Sequence, residues 1–191
     1  PVGLPGFDTA VKGYDYNPAK VRALLQSAGY DQEHPMPTIT LLTIPNYAAI
    51  GSYIVNELQQ AGIPARVEAV QKSLLLDQTS KLQVRFFRGS WLADYPDAEN
   101  YLGVFYSRHP APPNYTRYSN PQFDLLYEKA LAETNDSTRY ILYRQMDQMV
   151  IADAPVVPLW YDMVIHLVHK NIVGFRPNAS NMLELSKVKR Q

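Results

Sequence analysis

Asp94 and Asp97 stand three residues apart in the stretch SWLADYPDAENYL, residues 90–102, with Trp91 and Tyr95 flanking the first of them. A carboxylate walled by aromatic rings can hold a solute in a partly dry cleft. Two carboxylates can also divide the acid and base work of glycoside hydrolysis, which needs them about 5–10 Å apart. Neighbouring loop residues meet that spacing by chance, and nothing nearby sets one pKa against the other, so binding is favoured over a carboxylate-dependent hydrolase. The plainest alternative is that Asp94 or Asp97 caps the helix that follows. Arg88 offers a second charge, either to a ligand or to a neighbouring acid; alternation along a strand puts it on the same face as Phe86.

Other chemistry is thinly represented. His166 and His169 lie three apart in an expected strand, where they point to opposite faces and cannot easily share an ion. His34 and His109 sit in proline loops and read as exposed. No serine elbow, Walker loop or dinucleotide fingerprint occurs. Cysteine is absent, which removes disulfides, thiol catalysis and thiolate metal sites, so no cofactor and no metal is implied.

The elements that must position the loop follow from punctuation and periodicity. Residues 1–16 are broken by Gly and Pro and read as a linker, cut from the middle of something longer. Asn17-Pro18 starts a helix with Val21, Leu24, Leu25 and Ala28 on one face, ended by Gly29. TITLLTI (38–44), a helix with Ile50, Ile54, Leu58 and Ala61 inward, and ARVEAV (65–70) make a β-α-β unit with a parallel pair. A short helix over 73–81 leads into an expected strand, LQVRFFRGSW (82–91). Pro96 bends the chain away from that ladder. The loop therefore hangs at a strand's carboxyl end, where open α/β sheets place ligands. Asn120-Pro121 starts a helix to about Leu131, and Asn135 or Asp136 caps another with Ile141, Leu142, Met146, Met149 and Val150 inward. The two methionines read as core, and Arg139 and Arg144 as the solvated side. VVPLWYD (156–162) and VIHLVH (164–169) read as strands, and the tail after Glu184 shows no pattern.

Composition sets the limits. A chain of 191 residues, 46% apolar and 19% charged, can bury a real core. Lys plus Arg equals Asp plus Glu at 18 each, so there is no electrostatic footprint for nucleic acid or an anionic membrane. No apolar run approaches the roughly 20 residues that span a bilayer. Fourteen tyrosines against six phenylalanines suit wet interfaces and ligand clefts, where a ring must be buried and its hydroxyl satisfied.

Five blocks in order carry a family resemblance: YNPAKVRALLQSAGY, LQQAGIPARVEAV, WLADYPDAENYL, YSNPQFDLLYEKAL, and the 136–154 helix running into APVVPLWY. The chain resembles the C-terminal portion of the extracytoplasmic solute-binding proteins of dipeptide, oligopeptide and nickel ABC importers. The resemblance implies an α/β fold of the type II periplasmic-binding-protein kind, a mixed sheet flanked by helices. It further implies a linker over 1–16, a ligand-binding second lobe over 17–155 and a segment over 156–191 that returns toward a first lobe. Such proteins are not enzymes; two lobes shut over a solute and the closed complex docks on a membrane permease. The implied setting is extracytoplasmic and bacterial: the periplasm or, as a lipoprotein, the cell surface. In peptide-binding relatives the aspartate of the WxxD segment, here Asp94, holds the ligand's α-ammonium. An arginine three residues before the tryptophan, here Arg88, serves the ligand carboxylate in some of them. Trp91 and Tyr95 would wall the ligand's main chain. Ala98 stands where many relatives carry proline. The family also holds binders of sugars and metal chelates, so the implied short peptide is one of several solute classes.

Overall fold

Asn17 and Pro18 begin the first helix as their chemistry requires. The Asn17 side chain accepts the Lys20 N–H at 2.9 Å, and α1 runs Pro18–Ser27. The expected apolar face is narrower in the structure, a computed structural model that describes residues 2–178 and 182–191. No residue of α1 is fully buried, and Leu24 is 57% exposed. Only Val21 and Leu25 turn half inward, Leu25 lying against the turn at Gly62.

Two units of chain pack internally: Tyr14–Ser90 with Pro110–Thr116 forms one, and the stretch up to Gly13 with Trp91–His109 and Arg117–Gln191 forms the other. In the first, β1 (Ile39–Thr43) and β2 (Ala65–Ala69) pair in parallel, from Ile39 opposite Ala65 to Thr43 opposite Ala69. The crossover is a 3-10 turn at Pro45–Tyr47 followed by α2 (Ala48–Gln60). Of the expected inner face of α2, Ile54 and Leu58 pack against the core with buried Val55 and Ala61 is buried, but Ile50 is 37% exposed and Gly51 meets the sheet instead. The reason is a close approach: a Cβ on Gly51 would meet Val67 Cγ2 at 2.8 Å. The bare Gly51 backbone is what lets the helix settle on the sheet.

After α3 (Lys72–Ser80) the expected strand over 82–91 shrinks to one parallel bridge between Leu42 and Phe87. The Leu42 N–H donates to the Phe86 carbonyl at 3.0 Å, and the Arg88 N–H to the Leu42 carbonyl at 2.9 Å. Leu82 at φ +56° turns the chain just before it, and Gly89 offers no side chain to extend it.

The second unit is built on helices. The short α4 (Glu99–Leu102), α5 (Pro121–Ala132) and α6 (Asp136–Asp153) enclose Leu102, Tyr106, Phe123, Tyr127, Leu142, Tyr143, Met146 and Val150. Asn120 caps α5 through the Gln122 and Phe123 N–H groups, and Asn135, not Asp136, caps α6 through that of Thr138. Met146 is fully buried and Met149 packs against the same core, but Ile141 is 46% exposed and Tyr143 takes its place inside. Arg139 and Arg144 are not a merely solvated side. Arg139 pairs with Asp136 and Asp97, and Arg144 with Asp8 at 2.6 Å. His109 is half-buried rather than exposed, its Nδ1 2.8 Å from the Gly103 carbonyl.

Beyond α6 neither expected strand forms. Residues 156–169 carry no ladder among the described residues, and Met163, Ile165 and Leu167 are 88%, 79% and 95% exposed. A strand exists only where its amides enter a ladder, and among the described residues this stretch enters none. The patternless tail, by contrast, supplies β4 (Lys189–Arg190), which pairs antiparallel with β3 (Ile172–Val173).

Two outcomes follow. Gly51→Ala should lower stability by about 1–3 kcal/mol despite the better helix propensity of alanine, because Val67 is stiff at χ1 and cannot yield. The urea midpoint reads this, and Val67→Ala should recover part of the loss. Where α5 and α6 meet, the Tyr118 hydroxyl donates to Asp153 at 2.6 Å; burial and then that bond push its pKa up to about 12. A phenol held above its unfolded value of about 10 contributes stability that is whole below pH 10 and is lost as pH rises through about 12. Urea midpoints should fall across that window, and fall less in Tyr118→Phe.

Candidate functional site

The loop between the Phe86–Arg88 bridge and α4 carries three acids, and they are treated very differently. Asp97 begins α4: its Oδ1 accepts the Glu99 N–H at 2.9 Å, and the Asn100 N–H donates to its carbonyl at 3.2 Å. The same Oδ1 accepts the Tyr143 hydroxyl at 2.9 Å, and Oδ2 lies 3.2 Å from an Arg139 nitrogen. Glu99 receives two phenols, Tyr127 on Oε1 and Tyr95 on Oε2. Gly103 makes room for the first of these, since a Cβ there would lie 2.8 Å from the Tyr127 hydroxyl oxygen. Asp97 and Glu99 are thus the loop's foundations; Asp97 accepts the first N–H of α4, while the cap position itself falls to Ala98, whose side chain makes no capping bond.

Asp94 has no such engagement. Its side chain is exposed and makes no hydrogen bond or ion pair among the described residues; only its backbone N–H is held, by Asn100 Oδ1 at 3.4 Å. Trp91 donates its indole N–H to that same oxygen at 2.9 Å and leaves 37% of its surface open. Tyr95, 44% exposed, completes the cluster. The structure therefore brings together three of the four residues singled out from sequence, around an asparagine that the pattern did not flag. Arg88 belongs to the other unit. There its guanidinium lies over the Tyr47 ring at 3.6 Å from the centroid, a stacking contact rather than the ion pair that an ordinary surface arginine would seek.

Electrostatics follow the geometry. The Tyr127 and Tyr143 hydroxyls are driven well above the ordinary phenol range, first by burial and then by donation to Glu99 and Asp97. Tyr95 is raised by its bond to Glu99 and then by burial, with the Asn100 amide working the other way. These phenols remain neutral donors at physiological pH, and the carboxylates they serve stay partnered. Asp94 alone of the three presents a carboxylate with no hydrogen bond or ion pair among the described residues, flanked by two aromatic rings. That arrangement can bind a cation such as an ammonium group.

The remaining candidates do not compete. His166 meets the Phe175 ring edge-on, whereas His169 Nδ1 lies 2.6 Å from Asn171 Oδ1, so the pair is divided. No cluster of three metal-binding side chains occurs among the described residues. A shallow groove of about 460 Å³ on α5 and α6 is lined by Gln122, Leu126, Gln145, Gln148, Met149 and Ala152, with no titratable group in it.

The family model for bacterial extracellular solute-binding proteins, family 5 Middle, matches residues 1–112. The chain is 25% identical to the dipeptide-binding protein DppE of Bacillus subtilis (strain 168), across 88% of this chain and 32% of that protein. It is 24% identical to di/tripeptide-binding protein 2 of Pseudomonas aeruginosa (strain UCBPP-PA14), across 99% of this chain and 36% of that one. The solved ABC transporter-associated periplasmic binding protein DppA from Helicobacter pylori, in complex with peptide STSA, covers 100% of this chain with 38% of its own, at 25% identity and a TM-score of 0.83. The α/β fold is thus of the expected periplasmic-binding type, and the chain spans about a third of the length of the curated relatives it matches.

The unequal treatment of the acids has a measurable consequence. Tyr127→Phe strands one oxygen of half-buried Glu99 and should lower stability by about 1–3 kcal/mol. Asp94→Asn removes no internal bond and should stay within about 0.5 kcal/mol of the parent. Urea unfolding of both variants checks the contrast; equal losses would refute it.

Proposed function

The chain belongs to the bacterial extracellular solute-binding proteins of family 5, and from that premise we propose that it is the C-terminal part of a two-lobed protein that captures short peptides. The closed complex then delivers its ligand to a membrane ABC permease, without catalysis. The protein acts outside the cytoplasm, in the periplasm or as a cell-surface lipoprotein. In this reading residues 1–16 are a linker, 17–155 carry the second lobe, and 156–191 return to the first. The bare apolar row around Met163, Ile165 and Leu167 supports the last point, since so large an exposed apolar stretch marks a surface that another part covers.

The observation that carries the reading is the free carboxylate of Asp94 between Trp91 and Tyr95, in a loop whose other acids are committed to phenols and an arginine. When the lobes shut, a peptide's α-ammonium loses its hydration and needs a carboxylate in place of water. Asp94 supplies it. Trp91 and Tyr95 line the ligand's main chain without selecting its side chains. Arg88, held flat by Tyr47, serves the ligand's carboxylate where peptide length allows.

Calorimetric titration of the full-length protein with di- to pentapeptides tests this. Binding is expected, and Asp94→Ala should weaken it by about 2–5 kcal/mol, roughly 30- to several thousand-fold. Unchanged affinity in that variant would remove the ammonium role, and a protein that takes only sugars or metal chelates would remove the peptide.

A further inference from the structure

A charge that replaces water around a buried ammonium is effective only if it is already in place when the ligand arrives; a loop that must be ordered on binding loses that advantage. Nothing in the Asp94 side chain itself fixes it, because its carboxylate touches no other described group. Beyond the anchors at Asp97 and Glu99, a single neutral acceptor holds the Trp91 indole and the Asp94 backbone. Asn100 Oδ1 takes the Trp91 indole N–H at 2.9 Å and the Asp94 backbone N–H at 3.4 Å, using both lone pairs of one amide oxygen. Asn100 is in turn half-buried in α4, its own N–H bonded to the Asp97 carbonyl at 3.2 Å. Asp97 is anchored by Tyr143 and Arg139 on α6.

We propose that Asn100 is the positioning residue of the binding loop: one side-chain amide sets Trp91 and Asp94 in their ligand-ready geometry before the ligand arrives. This rests on the peptide-binding reading above. The residue type is specific. An acceptor with two lone pairs is required at this point, and the amide provides it without charge. A carboxylate would add a fourth negative group to a loop already holding Asp94, Asp97 and Glu99. A serine or threonine is too short to span from α4 to the indole. The anchor chain therefore runs from α6 through Asp97 to Asn100, and from Asn100 to the two ligand-facing residues.

The test uses the full-length protein with Asn100→Ala and Asn100→Asp, trialanine as ligand, and the Trp91 indole N–H resonance assigned by its loss in Trp91→Phe. In Asn100→Ala the indole proton should exchange with solvent at least tenfold faster, trialanine should bind about tenfold more weakly, and the thermal midpoint should barely move. Asn100→Asp retains the acceptor and should restore the indole signature. Asn100→Ala in an Asp94→Ala background should produce a clearly smaller further loss, since the residue acts through Asp94. Unchanged indole exchange in Asn100→Ala, or losses that simply add in the double variant, would overturn the proposal. Failure of the peptide reading looks different: trialanine binding would then be absent or indifferent to Asp94→Ala, and the indole exchange alone would decide whether Asn100 holds the loop.

Discussion

Carboxylates at the edge of an apolar core need donors, and for Asp97 and Glu99 the main side-chain donors are phenols. Tyr127 and Tyr143 are almost wholly buried as residues, yet each places its hydroxyl where the core meets the loop, on Glu99 and Asp97. A tyrosine is suited to this because its ring contributes burial while its tip satisfies a charge. Lysine or arginine would have required a charged group to lose water; of the loop's three acids, only Asp97 receives such help, from Arg139. The excess of tyrosine over phenylalanine thus has a structural meaning beyond a wet cleft. Several of these rings bear the helical core on one side and the loop's acids on the other.

The consequence is a division of labour among neighbouring acids of the same chemistry. Removing Asp97 or Glu99 would leave a buried phenol without its acceptor and loosen the link from the loop to α6 or from α4 to α5, respectively. Asp94 has no such internal duty, so its charge is available. A negative group that contributes little to the fold but is kept beside two half-open aromatic rings is what a binding surface requires and what a stable core avoids. The order in the loop comes from backbone and amide contacts, which leaves the carboxylate itself unengaged.

The two ends of the chain's polar accounting differ sharply. Around α5 and α6 the caps at Asn120 and Asn135, the Tyr118–Asp153 bond and the buried Met146 form one consistent set of local and tertiary preferences. Residues 156–169 show the opposite, with apolar side chains alternating through exposed, unladdered backbone. Their composition is that of strands; their surroundings offer no edge to pair with. Local preference and tertiary context agree in the first region and part company in the second.

Much was legible before any coordinates. Helix starts at Asn17, Asn120 and Asn135 follow from side chains that bond locally, and the parallel β-α-β unit follows from two β-branched runs around an amphipathic helix. The prominence of Trp91, Asp94 and Tyr95 also came from type and spacing. Local signals could not reveal that Gly51 rather than Ile50 meets the sheet, because the contribution of Gly51 is the absence of a side chain. Nor could they show that 82–91 makes only one bridge, that the tail pairs with Ile172–Val173, or that Arg139 reaches Asp97. Most telling, three acids in six residues are equivalent as sequence. Only long-range contacts from Tyr127, Tyr143 and Arg139 separate the two that hold the loop from the one left to act, since partnership between distant residues is a property of packing and not of order along the chain.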